Sequence, residues 1–354
     1  MKNLFDYLGF YGDLSFSEHQ FNDVDALILA LLSYVEFDDI VPTIKTSSVT
    51  LLKACELFLN KFSEKDFKKK DWIFPNSYRL VKALKNSKRF QKARLSYFVS
   101  SVDSHGQFSG ITIRLGNGLT YVSYEGTDSN VSGWKEDFEL LYKSEIFSQK
   151  YAVEYFNKTL NLFDRVVYVG GHSKGGNLAM YAYMNGLEKF KRRVKNVYNF
   201  DGPGFLDAVL TTKKYQEMTT KLKMFVPKES VIGMMLGHGD YTVVNCEGLV
   251  FNQHDGYGWE CFGGFFVPTE LSKKSKKFES NLQEYLASMT NEEKQNFVET
   301  FFNIFETANI KNIMELKDLK ISKLLTLMKG IKNVPESTKR NLVAIVRMLI
   351  TGMN

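Results

Sequence analysis

The sequence has few cysteines, and their number and spacing argue against stabilisation by disulfides or by a zinc ion. Its 354 residues include three cysteines, Cys55, Cys246 and Cys261, with no Cys-x-x-Cys pair among them. An odd number at these spacings argues against a disulfide framework and against a zinc site, and it fits a reducing compartment. We therefore expect neither a metal nor a cofactor.

The sequence also lacks an export signal and a long apolar run. The first residues, MKNLFD, provide no continuous apolar core and no cleavage site. The longest apolar run nearby, residues 26–32, is too short to cross a bilayer. These two absences predict a cytoplasmic protein.

Charge does not identify a partner. Hydrophobic residues make up 44% of the chain and charged residues 24%, as in folded soluble proteins. The net charge of +6 comes largely from scattered lysines, which either keep the protein in solution or attract it to an anionic membrane surface. We expect no nucleic-acid partner, and nothing in the sequence specifies an oligomeric state.

Internal repeats and low-complexity linkers are absent, and the apolar pattern changes along the chain. Helical spacing marks residues 22–37, which Asn22 can cap, and residues 51–59, whereas the charged residues 65–70 are predicted to form a loop. Strands are predicted at 95–102, 108–115 and 119–124. Asn117-Gly118 signals a tight hairpin between the last two.

Strands and helices then alternate, which predicts a parallel sheet covered on both faces. The predicted helices are 134–141, 146–163 and 176–187; the predicted strands are 165–170, 194–200 and 222–226, with edge strands at 242–244, 249–252 and 259–267. Helical patterns continue from residue 269 onward. We therefore predict an α/β-hydrolase domain over residues 1–268 and a helical C-terminal appendage over residues 269–354.

The α/β-hydrolase prediction depends on one segment, VVYVGGHSKGGNLA at residues 166–179. A β-branched run ends in glycines, presents Ser173 and continues into a helix-forming stretch, which is the pattern of a nucleophile elbow. The glycines at 171 and 175 remove Cβ atoms that would collide across the turn. The following helix N-terminus points free N–H groups towards an oxyanion. The alternative is an ordinary strand–turn–helix crossover with an idle serine.

A serine nucleophile needs a histidine base, and chain order selects among the five histidines. The base of this fold follows the last sheet strands, which excludes His19 and His105. His172 lies inside the elbow, where its side chain diverges from that of Ser173. His254, after the apolar run 249–251, is the predicted base, and His238 is the alternative.

Two carboxylates could orient that base. Asp201 ends the predicted strand 194–200 and precedes Gly202-Pro203-Gly204, so it lies at the carboxyl edge of the sheet. Glu229 follows the next strand and is the alternative acid, while a turn-capping role is the alternative for Asp201. The predicted oxyanion donors are the N–H of Lys174 and Thr127, which follows the strand end 121–126.

The segment YEGTD at 124–128, the segment WKEDF at 134–138 and the elbow GHSKGG at 171–176 resemble the class 3 (fungal-type) lipases. Together with NDVDAL at 22–27 and FDGPGF at 200–205, they resemble a bacterial lipase-like family of unassigned function over about residues 1–270. The resemblance implies that Ser173 is the nucleophile, His254 the base and Thr127 an oxyanion donor.

The chain departs from the class 3 pattern at three positions. Glu125 replaces an arginine, Lys174 replaces a leucine, and Ser230 stands about where the class 3 acid would be. The last departure favours Asp201, which matches the strand end that pancreatic-type lipases use.

The sequence thus predicts a serine hydrolase that cleaves carboxylic esters, of lipids or of other acyl compounds, through a Ser-His-Asp triad. The alternative is a catalytically idle α/β-hydrolase fold that serves as a binding or interaction module, because a fold does not fix a function. An amidase or transferase with the same triad differs only in its substrate.

Overall fold

The computed structural model describes residues 2–68, 74–102, 106–128, 131–248 and 250–307 of the chain. Its strands are β1 Val49–Thr50, β2 Arg94–Val102, β3 Gln107–Gly116, β4 Leu119–Tyr124, β5 Val166–His172, β6 Val194–Phe200, β7 Leu222–Pro227, β8 Thr242–Val244, β9 Cys261–Phe262 and β10 Phe265–Phe266.

The helices, in chain order, are α1 Leu4–Tyr11, α2 Asp23–Leu31, α3 Leu51–Lys61, α4 Glu64–Lys68, α5 Phe74–Lys85, α6 Lys88–Gln91, α7 Val131–Glu139, α8 Phe147–Thr159, α9 Lys174–Asn185, α10 Glu188–Lys191, α11 Asp207–Leu210, α12 Lys213–Thr219, α13 Val250–His254, α14 Lys273–Ala287 and α15 Asn291–Thr307. A 3₁₀ turn, Leu32–Tyr34, continues α2.

The central sheet has eight strands in sequential order, β1 to β8. Strands β1 to β4 pair antiparallel, and Asn117 and Gly118 turn the β3–β4 hairpin with φ of 52° and 77°. Strands β4 to β8 pair in parallel because helices or long segments carry the chain back between them. The protein therefore has an α/β-hydrolase fold with a mostly parallel central sheet, N-terminal helices and C-terminal helices.

Both faces of the sheet are covered by apolar side chains. One cluster joins the N-terminal helices to the sheet; every residue of α2 is buried, and its apolar residues belong to this cluster. Asn22 caps α2, accepting from the N–H groups of Val24 and Asp25, as its sequence pattern predicts. A second cluster packs α8 and α9 on the opposite face. The sheet is thus held between two helical layers, and its carboxyl edge is left for loops.

A third apolar cluster involves the C-terminal helices. Phe297, Phe301 and Phe302 of α15 contact Phe138 of α7, with ring centroids 5.5–6.2 Å apart. The regularly spaced aromatic residues of α15 therefore form a packing face. The domain boundary at residue 268 stays a prediction, and residues 308–354 lie outside the described part of the chain.

Three local predictions were wrong. Of the predicted loop 65–70, residues 65–68 belong to helix α4, because Ser63 and Asp66 make an N-terminal capping pair, and residues 69–70 lie outside the described residues. In the predicted strand 249–252, residues 250–252 instead begin the short helix α13, since a short apolar run has no decisive periodicity; residue 249 lies outside the described residues. Residues 259–267 hold the separate hairpin β9–β10 rather than an edge strand of the main sheet.

Among the described residues, no helix combines the length and apolarity that crossing a membrane requires.

Candidate active site

Ser173 occupies a sharp turn between β5 and α9. Its φ of 56° and ψ of −134° lie in a region that residues with a side chain rarely adopt. A Cβ at Gly171 would collide with the backbone of Gly175, and one at Gly175 would collide with the backbone of Tyr124. The two glycines therefore permit the turn, which leaves the serine partly exposed.

Ser173, His254 and Asp201 form a continuous hydrogen-bonded relay. The Nε2 atom of His254 lies 3.1 Å from Ser173 Oγ, and its Nδ1 atom lies 2.6 Å from Asp201 Oδ2. Because a carboxylate only accepts, Nδ1 carries the proton, and Nε2 accepts from the serine hydroxyl. Ser173 directly follows β5, His254 ends α13, and Asp201 directly follows β6.

Asp201 is held in place by both its side chain and its backbone. Its Oδ1 atom accepts from Ser230 Oγ at 2.5 Å and from the N–H of Gly233 at 3.1 Å. Its own N–H donates to the carbonyl of Phe225 at 2.8 Å. Ser230, at the expected class 3 acid position, is therefore a hydrogen-bond donor to the acid of this relay.

The contacts described for the alternative acid and base do not involve the relay. The backbone N–H of Glu229 donates to the side chain of Gln253, while His254 Nδ1 pairs with Asp201. His238 faces Glu279, 3.4 Å away. His19 stacks on Tyr11, with ring centroids 4.7 Å apart. His105 lies outside the described residues.

A buried pair that the sequence did not predict, His172 and Tyr34, lies behind the relay. His172 Nε2 lies 2.5 Å from the backbone oxygen of His254, and its Nδ1 lies 2.9 Å from the hydroxyl of Tyr34. Burial is the main cause that holds the pKa of His172 well below its usual value, and the neighbouring His254 lowers it further. His172 was visible within the elbow motif, but no local signal pointed to Tyr34.

Of the predicted oxyanion residues, Lys174 directly follows Ser173, and Thr127 follows Gly126, which lies close to Ser173. The N–H of Lys174 is the first of α9, and the first N–H groups of a helix have no acceptor within it. Gly126 lies so close that a Cβ there would approach Ser173 Cβ and the Tyr34 hydroxyl. Thr127 is buried, and its hydroxyl donates to Asp137 Oδ2 at 2.6 Å. With the hydroxyl directed at Asp137, the backbone N–H is the donor that Thr127 can offer.

Acidic side chains near this loop have shifted pKa values. Burial raises the pKa of Glu125 to about 8 and that of Asp137 to about 6, although Lys174 and hydrogen-bond donors oppose both shifts. Across the described ranges, no group of three His, Cys, Asp or Glu side chains is arranged to bind a metal.

Comparisons with known proteins place the chain in a family. M37 lipase, known from a crystal structure, is similar at 16% identity and a TM-score of 0.34, over 59% of this chain and 68% of that one. No curated protein matches the chain. The sequence model of the Mbeg1-like family matches residues 84–303, which is more than half of the chain and includes all residues of the relay. The chain therefore belongs to the Mbeg1-like family.

Proposed function

We propose that this protein is a serine hydrolase that cleaves carboxylic esters through an acyl-enzyme. The observation that carries the proposal is the relay from Ser173 Oγ to His254 Nε2, at 3.1 Å, and from His254 Nδ1 to Asp201 Oδ2, at 2.6 Å. Nucleophile, base and orienting acid within hydrogen-bond reach are what nucleophilic catalysis by a serine requires.

In the proposed reaction, Ser173 Oγ attacks the ester carbonyl while His254 Nε2 takes the hydroxyl proton. Asp201 stabilises the imidazolium, and the N–H groups of Lys174 and Thr127 stabilise the oxyanion. The tetrahedral intermediate collapses, His254 protonates the leaving alkoxide, and the alcohol departs. Water, deprotonated by His254, then attacks the acyl-serine, and the proton returns to Ser173 as the carboxylic acid leaves.

We propose that the substrates are lipid-like acyl esters. This proposal assumes that the chain is related to the class 3 lipases. The support is the Thr127–Asp137 hydrogen bond, which joins the two segments that resemble those lipases. A soluble esterase acting on short dissolved esters is the alternative. An idle fold used only for binding would not need a base aligned with a strained serine.

Fluorophosphonate labelling tests the activity. The wild type is expected to be labelled on Ser173 and to hydrolyse short p-nitrophenyl esters, and Ser173→Ala is expected to lose both properties while keeping its melting temperature. An exposed serine directly after helix α14 supplies the control, Ser288→Ala. Ester hydrolysis that persists in Ser173→Ala would contradict the proposal.

A further inference from the structure

The side chain of Lys174 is buried beside the active site rather than directed into solvent. It is 1% exposed, and its Nζ atom lies 3.0 Å from Glu136 Oε2 and 3.5 Å from Asp137 Oδ1. It also donates to the backbone oxygen of Gln107 at 3.3 Å. The residue after the nucleophile therefore makes a three-point contact with neighbouring segments.

The partners keep this ammonium charged. Burial lowers the pKa of Lys174, but Asp137 and Glu136 outweigh burial, so the pKa lies above its usual value. Glu136 in turn accepts from the N–H of Ser148 at 2.6 Å and from the N–H of Gln107 at 3.3 Å. A buried ion pair is stable only when its remaining hydrogen-bonding capacity is filled in this way.

Asp137 links Lys174 to the other side of the oxyanion site. One of its oxygens faces Lys174 Nζ, and the other accepts from the Thr127 hydroxyl at 2.6 Å. The backbone of Lys174 thus supplies one proposed oxyanion donor. Its side chain contacts Asp137, and Asp137 accepts the hydrogen bond of Thr127, the other proposed donor residue. A leucine, the usual class 3 residue, would leave the carboxylates of Glu136 and Asp137 without their ammonium partner.

We propose that the Lys174 side chain is a positioning residue, which fixes Thr127 through Asp137 and offsets two carboxylates beside the developing oxyanion. The inference rests on the proposed hydrolase function. Because an oxyanion carries its charge mainly in the transition state, the effect belongs in kcat rather than in KM.

The test replaces the buried pair by neutral side chains of similar size, in Lys174→Met/Glu136→Gln. With p-nitrophenyl butyrate, kcat is expected to fall about 10- to 100-fold, less than the roughly 10²–10³-fold loss of a complete oxyanion donor. KM is expected to stay within about 3-fold. The matched control is Lys158→Met/Glu154→Gln, which removes an exposed pair of 2.8 Å on α8 and is expected to leave kcat unchanged.

A double-mutant cycle separates positioning from general damage. Thr127→Val should lower kcat more in the wild type than in the Lys174→Met/Glu136→Gln background, because the link between them is already weakened there. The inference would be overturned if the two losses of kcat were strictly additive, or if the double variant Lys174→Met/Glu136→Gln, called here the pair variant, had an unchanged kcat. If the pair variant does not fold, Asp137→Asn breaks the same link and leaves the Lys174–Glu136 contact, and it must also lower kcat.

The two proposals fail differently. A wild type that is labelled at Ser173 and hydrolyses esters, with a fully active pair variant, refutes the role of Lys174 alone. A folded wild type that neither reacts with a fluorophosphonate nor hydrolyses esters refutes the hydrolase proposal, and with it the inference.

Discussion

The imidazole of His172 holds the backbone of His254: its Nε2 atom lies 2.5 Å from the His254 carbonyl oxygen. Because a carbonyl only accepts, Nε2 carries the proton, and the unprotonated Nδ1 accepts from the Tyr34 hydroxyl at 2.9 Å. The His254 carbonyl thereby sets the tautomer of the buried His172, the Tyr34 hydroxyl supplies the donor that the other ring nitrogen needs, and the ring holds the end of α13, which carries the proposed base.

Tyr34→Phe is expected to lower both stability and kcat. The substitution leaves the buried Nδ1 of His172 without its donor, which costs about 1–3 kcal/mol of unfolding free energy. With one ring nitrogen unsatisfied, the His172 ring is held less firmly and positions His254 less well, so kcat should fall about 10-fold. Urea denaturation and ester hydrolysis measure the two effects.

Tyr155→Phe is the matched control for Tyr34→Phe. Tyr155 is also buried, and its hydroxyl donates to the backbone of Tyr97 at 2.7 Å, away from the relay. It should lose stability but keep kcat. Equal kcat values for Tyr34→Phe and Tyr155→Phe would show that the Tyr34–His172 contact supports only the fold.

Asp201→Asn is expected to reduce kcat by about 10⁴-fold, because an amide at this position favours the wrong tautomer of His254. Glu229→Gln should leave kcat within about 2-fold, since the hydrogen bond described for Glu229 comes from its backbone. The two variants should be compared at matched melting temperature. A greater loss in Glu229→Gln would reverse the assignment of the acid.

The sequence could predict those parts of the site whose signals are local. The elbow, the Asn117-Gly118 hairpin and the strand end at Asp201 each depend on residues within one turn, and they were located correctly. The order of His254 after the sheet strands also followed from connectivity, although its helix α13 was taken for a strand.

The remaining contacts arise only in the folded chain. Tyr34 and His172 are 138 residues apart, and Lys174 and Glu136 are 38 residues apart. No periodicity or turn residue encodes such a pairing. A lysine after the nucleophile is a departure in the sequence, but its buried carboxylate partners become visible only when α7 packs against the start of α9.

Glu125→Gln is expected to stabilise the protein increasingly as the pH rises. Burial raises the pKa of Glu125 to about 8, while its unfolded value is near 4.5. Between these values the folded state holds a proton that the unfolded state has lost, so the wild type loses stability as the pH rises through this window. Glutamine carries no such penalty, and the advantage should grow from about pH 4.5 to pH 8 and then level off.

Melting temperatures of wild type and Glu125→Gln across pH 4–9 measure this difference. Glu154→Gln, at an exposed glutamate of α8, is the control and should give a small difference without this window. A constant difference for Glu125→Gln at all pH values would contradict the raised pKa.

Neutralising the lysines at the start of α14 tests whether the protein acts at an anionic membrane surface. Four exposed lysines precede or flank the buried residues of this helix: Lys273, Lys274, Lys276 and Lys277. Each lysine near an anionic surface contributes about 1 kcal/mol of attraction. Replacing all four by glutamine should therefore weaken co-sedimentation with phosphatidylserine vesicles at least about 10-fold at low salt, and added salt should weaken wild-type binding.

A scattered variant with the same change in net charge separates a local surface from overall charge. It carries glutamine at four exposed positions on other helices: Lys53, Lys158, Lys189 and Lys213. If the lysines of α14 form the contact, this variant retains most of the vesicle binding. Equal losses in both variants would indicate attraction by net charge alone. A wild type that does not bind vesicles and prefers dissolved short esters to glycerides would favour the soluble esterase, whose lysines serve only solubility.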